Sequence, residues 1–267
     1  MSRPSLRAVT FLAPNMFRVY QAITDAVGKH LGLEINLAVG ENYDDVSQAD
    51  LCFICGLPYV LRTRPRVNPA SLEAIAAPVL VGERYQGKPI YFSDVIVRRD
   101  SPYQSFVDLR GCSWAFNEEE SQSGYGITRY TLVKLGETTG FFGKVSKAGF
   151  HQKAIRMVCD GEVDATAIDS QVLAVELRNH PNLADHLRIV GVFGPSTVQP
   201  IAVSTTLTKS LKEDIRSALL HIHNIATVRA EFDRNFIDRI AAVGDSTYDD
   251  IREMLAVCER ANFLWLR

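Results

Sequence analysis

The sequence predicts an α/β protein built from two lobes, and three observations predict it. Apolar runs at strand spacing alternate with apolar stripes at helical spacing along most of the chain. The run Ala49–Cys55 is nearly continuous in apolar residues, as expected for a strand covered on both faces of a parallel sheet. The 267 residues contain no repeat, low-complexity tract or long linker. Two lobes joined by strands, with a ligand cleft between them, therefore suit this length.

Taken in order, Ala8–Ala13 reads as the first strand. Met16, Val19, Tyr20, Ile23, Val27 and Leu31 then form one helical stripe that Gly32 stops. Leu33–Val39 and Ala49–Cys55 are the next strands, and Leu57–Leu61 is a short helix or turn. The segment Arg62–Pro69, with three arginines and two prolines, is expected to be a surface loop. Ala76–Val81 and Ile90–Arg98 continue the strands. A second βα series follows Gly111: a strand Cys112–Phe116, a helix from about Ser123 to Leu135, a strand edge at Lys147–Phe150 and a helix His151–Cys159. Gly161–Asp169 is a turn and strand leading into a helix through Leu177. Leu187–Phe193 and Ile201–Ser204 are later strands. The end reads as helical, with Leu211, Ile215, Leu219, Ile222 and Ala226 on one stripe and Tyr248–Ala261 as the last amphipathic helix.

Composition narrows the function. A net charge of −2 without a long basic block argues against nucleic acid as a partner. No apolar run is long enough to span a bilayer, so no membrane insertion is expected. The first residues carry a short apolar run better suited to a strand than to a signal-peptide core, so no export signal is expected. The five cysteines do not suggest a disulfide framework. Cys52 and Cys55 have the spacing of a redox or metal pair, but they lie in an apolar strand with no second Cys/His pair, which points to buried thiols. No metal motif, P-loop or G-x-S-x-G motif occurs, so neither a metal nor a cofactor is expected, and no catalytic residue is assigned.

The most informative stretch is Asn117–Gly126, where two serines, a glutamine and a glycine stand between a strand and a helix. Unpaired N–H groups at a helix start favour an anion, and Ser121 and Ser123 can add hydroxyl donors. The same residues also suit an ordinary serine N-cap. The acids Glu118, Glu119 and Glu120 just before the turn are expected to be solvated. Other candidates at strand ends are Tyr59, Tyr91 with Ser93 and Asp94, His151 after Gly149, and Asp169 with Ser170. Asp169 can equally cap the helix that follows it.

The ordered series DLRGCSWAFNEEESQSGYGITRYTLVKLG, GFHQKAIRMVCDGEVDATAIDSQVL and VGDSTYDDIREM resembles the solute-binding proteins of phosphate, phosphite and phosphonate ABC importers, the PhnD-like family. The resemblance implies a type II periplasmic-binding-protein fold, α/β, with residues 1–95 and 195–267 in one lobe and 96–194 in the other. It implies capture of a small phosphorus oxyanion for an ABC transporter permease, in the periplasm if the chain is exported and in the cytoplasm if it is not. It further implies that Ser121, Gln122, Ser123 and His151 hold the oxyanion, that Tyr59 and Tyr91 wall it, and that Asp169 meets a protonated oxygen or an amine. Gln122 departs from the threonine or small residue usual in that family. Three other readings remain open. A cytosolic lyase on the same fold would pair His151 with Asp169 or Tyr91 as acid and base. A metabolite sensor would signal through protein contacts. An arsenite-type ligand would sit on Cys52 and Cys55.

Overall fold

The computed structural model describes residues 5–64 and 72–266, so part of the Arg62–Pro69 loop and the first four residues lie outside the described residues. Along the chain run β1 (Ser5–Thr10), α1 (Phe17–Leu31), β2 (Glu34–Val39), β3 (Leu51–Phe53), α2 (Gly56–Arg62), β4 (Leu72–Leu80) and β5 (Ile90–Arg98). Next come β6 (Ser113–Phe116), α3 (Ile127–Lys134), β7 (Lys144–Lys147), α4 (His151–Cys159), β8 (Ala165–Asp169), α5 (Ser170–Asn179) and α6 (Leu183–His186). The chain ends with β9 (Leu187–Thr197), β10 (Ile201–Ser204), α7 (Lys209–His221), α8 (Ala226–Arg234), β11 (Ile237–Ala242) and α9 (Asp249–Arg260).

These elements form two compact units: Met1–Ile90 with Thr197–Asp249, and Tyr91–Ser196 with Asp250–Arg267. The first unit holds a six-stranded sheet in the order β11-β4-β10-β3-β1-β2. Strands β2 and β3 flank β1 in parallel, whereas β10 and β11 pair antiparallel to their neighbours. The second unit holds a five-stranded sheet in the order β7-β6-β8-β5-β9. Here β7 and β8 run parallel to β6, and β5 runs antiparallel to β8. Both sheets are thus mixed rather than mostly parallel. Each parallel βαβ core is widened by strands that run against it.

In the first unit, α1 buries Val19, Ile23, Ala26 and Val27 on one face, and Gly32 ends it in a left-handed conformation, the usual place for glycine. In the second, an aromatic cluster fills the side of the sheet that faces α3. Trp114 stacks on Phe142 at 4.5 Å, and Phe106 stacks on Phe141 at 5.1 Å. Phe263 and Leu266 join that cluster, which is why residues 250–267 count with the second unit although sequence suggests they stay with the first.

Several local expectations change. The strand expected at Lys147–Phe150 is β7, three residues earlier, and Ala148–Phe150 instead lead into α4. The single stripe expected from Leu211 to Ala226 breaks at Ile222. A 3-10 turn separates α7 from α8 there, and Ala226 is exposed. Strand β11 replaces what reads as helix. Its pairing with β4 shifts register between Ile237 and Arg239, so its buried residues Ile237 and Ile240 stand three apart, a helical spacing.

Cys52, Cys55 and Cys258 are buried, whereas Cys112 and Cys159 are partly accessible. Burial pushes the Cys52 thiol far above its ordinary range, which disfavours the thiolate that a soft oxyanion would need. Brief iodoacetamide treatment of the native protein should alkylate Cys112 and Cys159 and spare Cys52. Peptide mass spectrometry checks this, and labelling of Cys52 at a comparable rate would contradict its buried state. Among the described residues no cluster of histidine, cysteine or acid side chains could hold a metal, and no helix is long and apolar enough to cross a membrane.

Candidate functional site

In the second unit, β6 connects through α3 to β7 on one side, and β7 connects through α4 to β8 on the other. The carboxyl ends of β6 and β8 therefore flank a topological switch point, where open α/β sheets bind their ligands. The Ser121–Gly124 turn follows the first of these strands, and Asp169–Ser170 ends the second.

The turn is wider than an ordinary helix start. Residues Gln122–Gly126 form a single π-helical turn, with the Gly126 N–H donating to the Ser121 carbonyl at 2.8 Å. Such insertions recur at functional sites because they re-aim backbone groups. Ser121 is the N-cap: its Oγ accepts the Gly124 N–H at 3.1 Å. The cap is therefore real, and the same oxygen lies 3.4 Å from Ser123 Oγ. Gly124 lets the Asn117 side chain approach closely, since a Cβ there would lie 2.1 Å from Asn117 Oδ1 and would displace that amide.

Ser123 Oγ lies 2.9 Å from His151 Nε2. The segment carrying His151 is tied to the end of β6 by Ala148 N–H to the Phe116 carbonyl (2.7 Å) and Gly149 N–H to the Asn117 carbonyl (2.8 Å). Gly149 takes φ +92°, a conformation that L side chains rarely adopt. The chain then turns into α4 with His151 as its first residue. The imidazole is buried, its Nδ1 has no hydrogen-bond partner, and burial lowers its pKa from 6.5 to about 4. At neutral pH it is an uncharged ring beside the Ser123 hydroxyl.

Asp169 Oδ1 accepts the N–H groups of Gln171 (2.8 Å) and Val172 (3.2 Å) and so caps α5. Ser170 Oγ accepts the Phe92 N–H at 3.2 Å. Ser93 lies directly opposite Asp169 in the β5–β8 pairing, and its fully buried Oγ has no partner. Tyr91, also buried, stands two residues along β5 and so on the same face of the sheet. Gln122 is buried as well, but its amide donates to Ser196 Oγ (3.3 Å) and Met254 Sδ (3.2 Å). That NH₂ is engaged with the unit's own side chains. Glu119 pairs with Lys147 at the surface, while Glu118 and Glu120 are partly buried.

The structure thus brings Ser121, Ser123 and His151 into contact, and it sets Asp169 and Tyr91 on neighbouring strands of the same sheet. Tyr59 belongs to the first unit. It lies in the core there, where its hydroxyl donates to Asp245 Oδ1 (2.8 Å) and accepts the Ala74 N–H (3.2 Å).

The first unit has its own switch point, because α1 leads from β1 to β2 on one side and the chain returns to β3 on the other. The loop after β1 carries Phe11, whose ring lies 4.8 Å from that of Tyr43. The Arg62 guanidinium lies 4.4 Å over the Tyr43 ring. Gly40 permits this packing, since a Cβ there would collide with the Phe11 ring at 2.1 Å. Sequence reasoning passed over this group. The expected first strand runs through Ala13 and so places Phe11 inside it, whereas β1 ends at Thr10 and Phe11 opens the loop.

The fold is that of type II periplasmic binding proteins. One similar structure is a binding-protein component of an ABC phosphonate transporter from Pseudomonas aeruginosa (TM-score 0.83, 15% identity, 98% of this chain and 88% of that chain covered). Another is PhnD1 from Prochlorococcus marinus in complex with methylphosphonate (TM-score 0.82, 18% identity, 97% and 98% covered). A third, at TM-score 0.69 and 18% identity over 97% and 98% of the two chains, is a Xanthomonas citri protein bound to ATP. Residues 10–248 match the family profile described as ABC transporter, phosphonate, periplasmic substrate-binding protein. This is a family of binding proteins, not enzymes, and it carries the role of capturing a solute for an ABC importer. The chain belongs to the phosphonate ABC-transporter periplasmic substrate-binding protein family.

Proposed function

We propose that the solute is a small phosphorus oxyanion (a phosphonate, phosphite or phosphate ion) bound at the Ser121–Gly124 turn and delivered to an ABC permease outside the cytoplasmic membrane. The observation that carries this reading is the Ser121–Ser123–His151 group at the carboxyl end of β6, joined to a helix start. Hydroxyls, backbone N–H groups and a neutral imidazole can surround a phosphoryl oxygen without burying a cation against it. Asp169 at the neighbouring strand end adds selectivity. A carboxylate beside an anion is favourable only with a proton between them, so a ligand that keeps a proton on oxygen is accepted and sulfate is rejected.

Thermal unfolding with millimolar methylphosphonate, phosphite, phosphate, 2-aminoethylphosphonate and sulfate tests this. At least one phosphorus anion should raise the midpoint by several degrees, as expected for ligand well above its Kd, and sulfate should not. A protein whose midpoint is unmoved by all four phosphorus compounds would not be an oxyanion receptor.

A further inference from the structure

We propose that Arg129 is a cation that raises affinity for the anion through its field, from behind the oxyanion turn, without touching the ligand. The inference rests on the reading that this turn takes a phosphorus oxyanion.

Arg129 is in α3 and only 6% exposed. Its Nη1 donates to the Leu264 carbonyl at 2.9 Å, and its guanidinium lies 4.9 Å over the Tyr125 ring. Its Nε is fully buried with no partner, and no carboxylate pairs with it among the described residues. A buried guanidinium is ordinarily matched by an acid, because desolvating the charge is costly. Here a carbonyl dipole and an aromatic face offer only partial negative charge.

The C-terminal segment covers much of the guanidinium. Gln122 and Tyr125 in the π-helical turn and Arg129 in α3 share one side of this stretch, as their common neighbour shows. That side meets the C-terminal segment three times: Gln122 at Met254 Sδ, the Tyr125 hydroxyl at the Leu266 N–H (3.3 Å), and Arg129 at the Leu264 carbonyl. Phe263 and Leu266 are buried in the same core. The tail therefore packs over Arg129 and leaves its Nε buried, while Ser121 and Ser123 lie toward the switch point.

Arg129 follows Ser123 by six positions, a rise of roughly 9 Å along a helix axis. At that distance, in partly buried surroundings, one charge shifts the affinity for a singly charged ligand by on the order of tenfold. An anion at the turn then supplies the negative charge that the fold leaves out.

The test compares Arg129→Met, Arg129→Gln and Arg129→Lys by calorimetric titration with phosphate, phosphite and methylphosphonate, and by thermal unfolding without ligand. The Met and Gln variants should lose about tenfold in affinity, with Lys staying within about threefold of wild type. The ligand-free Met variant should melt at or above wild type, because removing an unmatched buried charge relieves its desolvation. A residue that merely clamped the tail would instead lower that melting point and would not be rescued by lysine. Should the Met variant fail to fold, the Gln and Lys comparison decides. Binding by the neutral variants within twofold of wild type, or a Lys variant as weak as the neutral ones, overturns this inference alone. Wild-type protein that binds none of the three anions overturns the reading of the turn and this inference with it.

Discussion

Replacing Ser123 with alanine is expected to weaken methylphosphonate binding by about ten- to a hundredfold, the size expected for losing one hydrogen bond to a charged group. The hydroxyl occupies the middle of the site, 2.9 Å from His151 Nε2 and 3.4 Å from Ser121 Oγ. Its loss removes a donor and also leaves both imidazole nitrogens of a buried histidine without a partner, since Nδ1 already has none. The ligand-free protein should therefore lose about 1–3 kcal/mol of stability as well. Ser121→Ala removes the cap together with the second hydroxyl of the group, since its oxygen holds the Gly124 N–H and lies beside Ser123 Oγ. It should cost about 1 kcal/mol of stability and weaken binding as well, while leaving the Ser123–His151 contact in place. Calorimetric titration and chemical unfolding of the two variants separate these effects. A Ser123→Ala protein that binds methylphosphonate within twofold of wild type would place the ligand elsewhere.

Where the amino-acid pattern is local, it foretells the structure closely. The β5 strand Ile90–Arg98 and the α4 helix His151–Cys159 have the bounds their periodicity implies. The Ser121 turn is legible because hydroxyls, a glycine and a strand-to-helix transition fall together within a few residues. What is not legible depends on contacts distant in sequence. Tyr59 looks like a residue at a strand end, but Asp245, nearly two hundred residues away, takes its hydroxyl into the core. Gln122 sits in the turn, yet its amide donates to Ser196 and Met254, which lie 74 and 132 residues further along the chain. Strand β11 hides behind a register shift that gives it a helical spacing. The closing segment 250–267 carries no local sign that Phe263 and Leu266 will fill the second unit's aromatic core.

Acid should weaken this protein through His151 by roughly 3 kcal/mol, the free-energy equivalent of lowering its pKa from 6.5 to about 4. The cause is burial, since the ring has Ser123 Oγ on one nitrogen and nothing on the other. Above pH 6.5 the imidazole is neutral in both folded and unfolded chains, and its contribution to stability is complete. Between 6.5 and about 4 the unfolded chain takes up a proton that the folded one resists, so stability falls as pH falls. Below about 4 both states are protonated and the loss levels off. Carboxylates also titrate near the lower end of this window, so the contribution of His151 must be read as a difference. Urea unfolding of wild type and His151→Gln at steps from pH 8 to 4 provides it. Glutamine keeps a hydrogen-bonding group near Ser123 but cannot gain a charge, so its curve should lie below wild type at pH 8 and close much of the gap by pH 4. Two curves that stay parallel across the window would mean that the folded imidazole protonates as readily as the unfolded one. The neutral donor set proposed for the anion site would then be wrong at its centre.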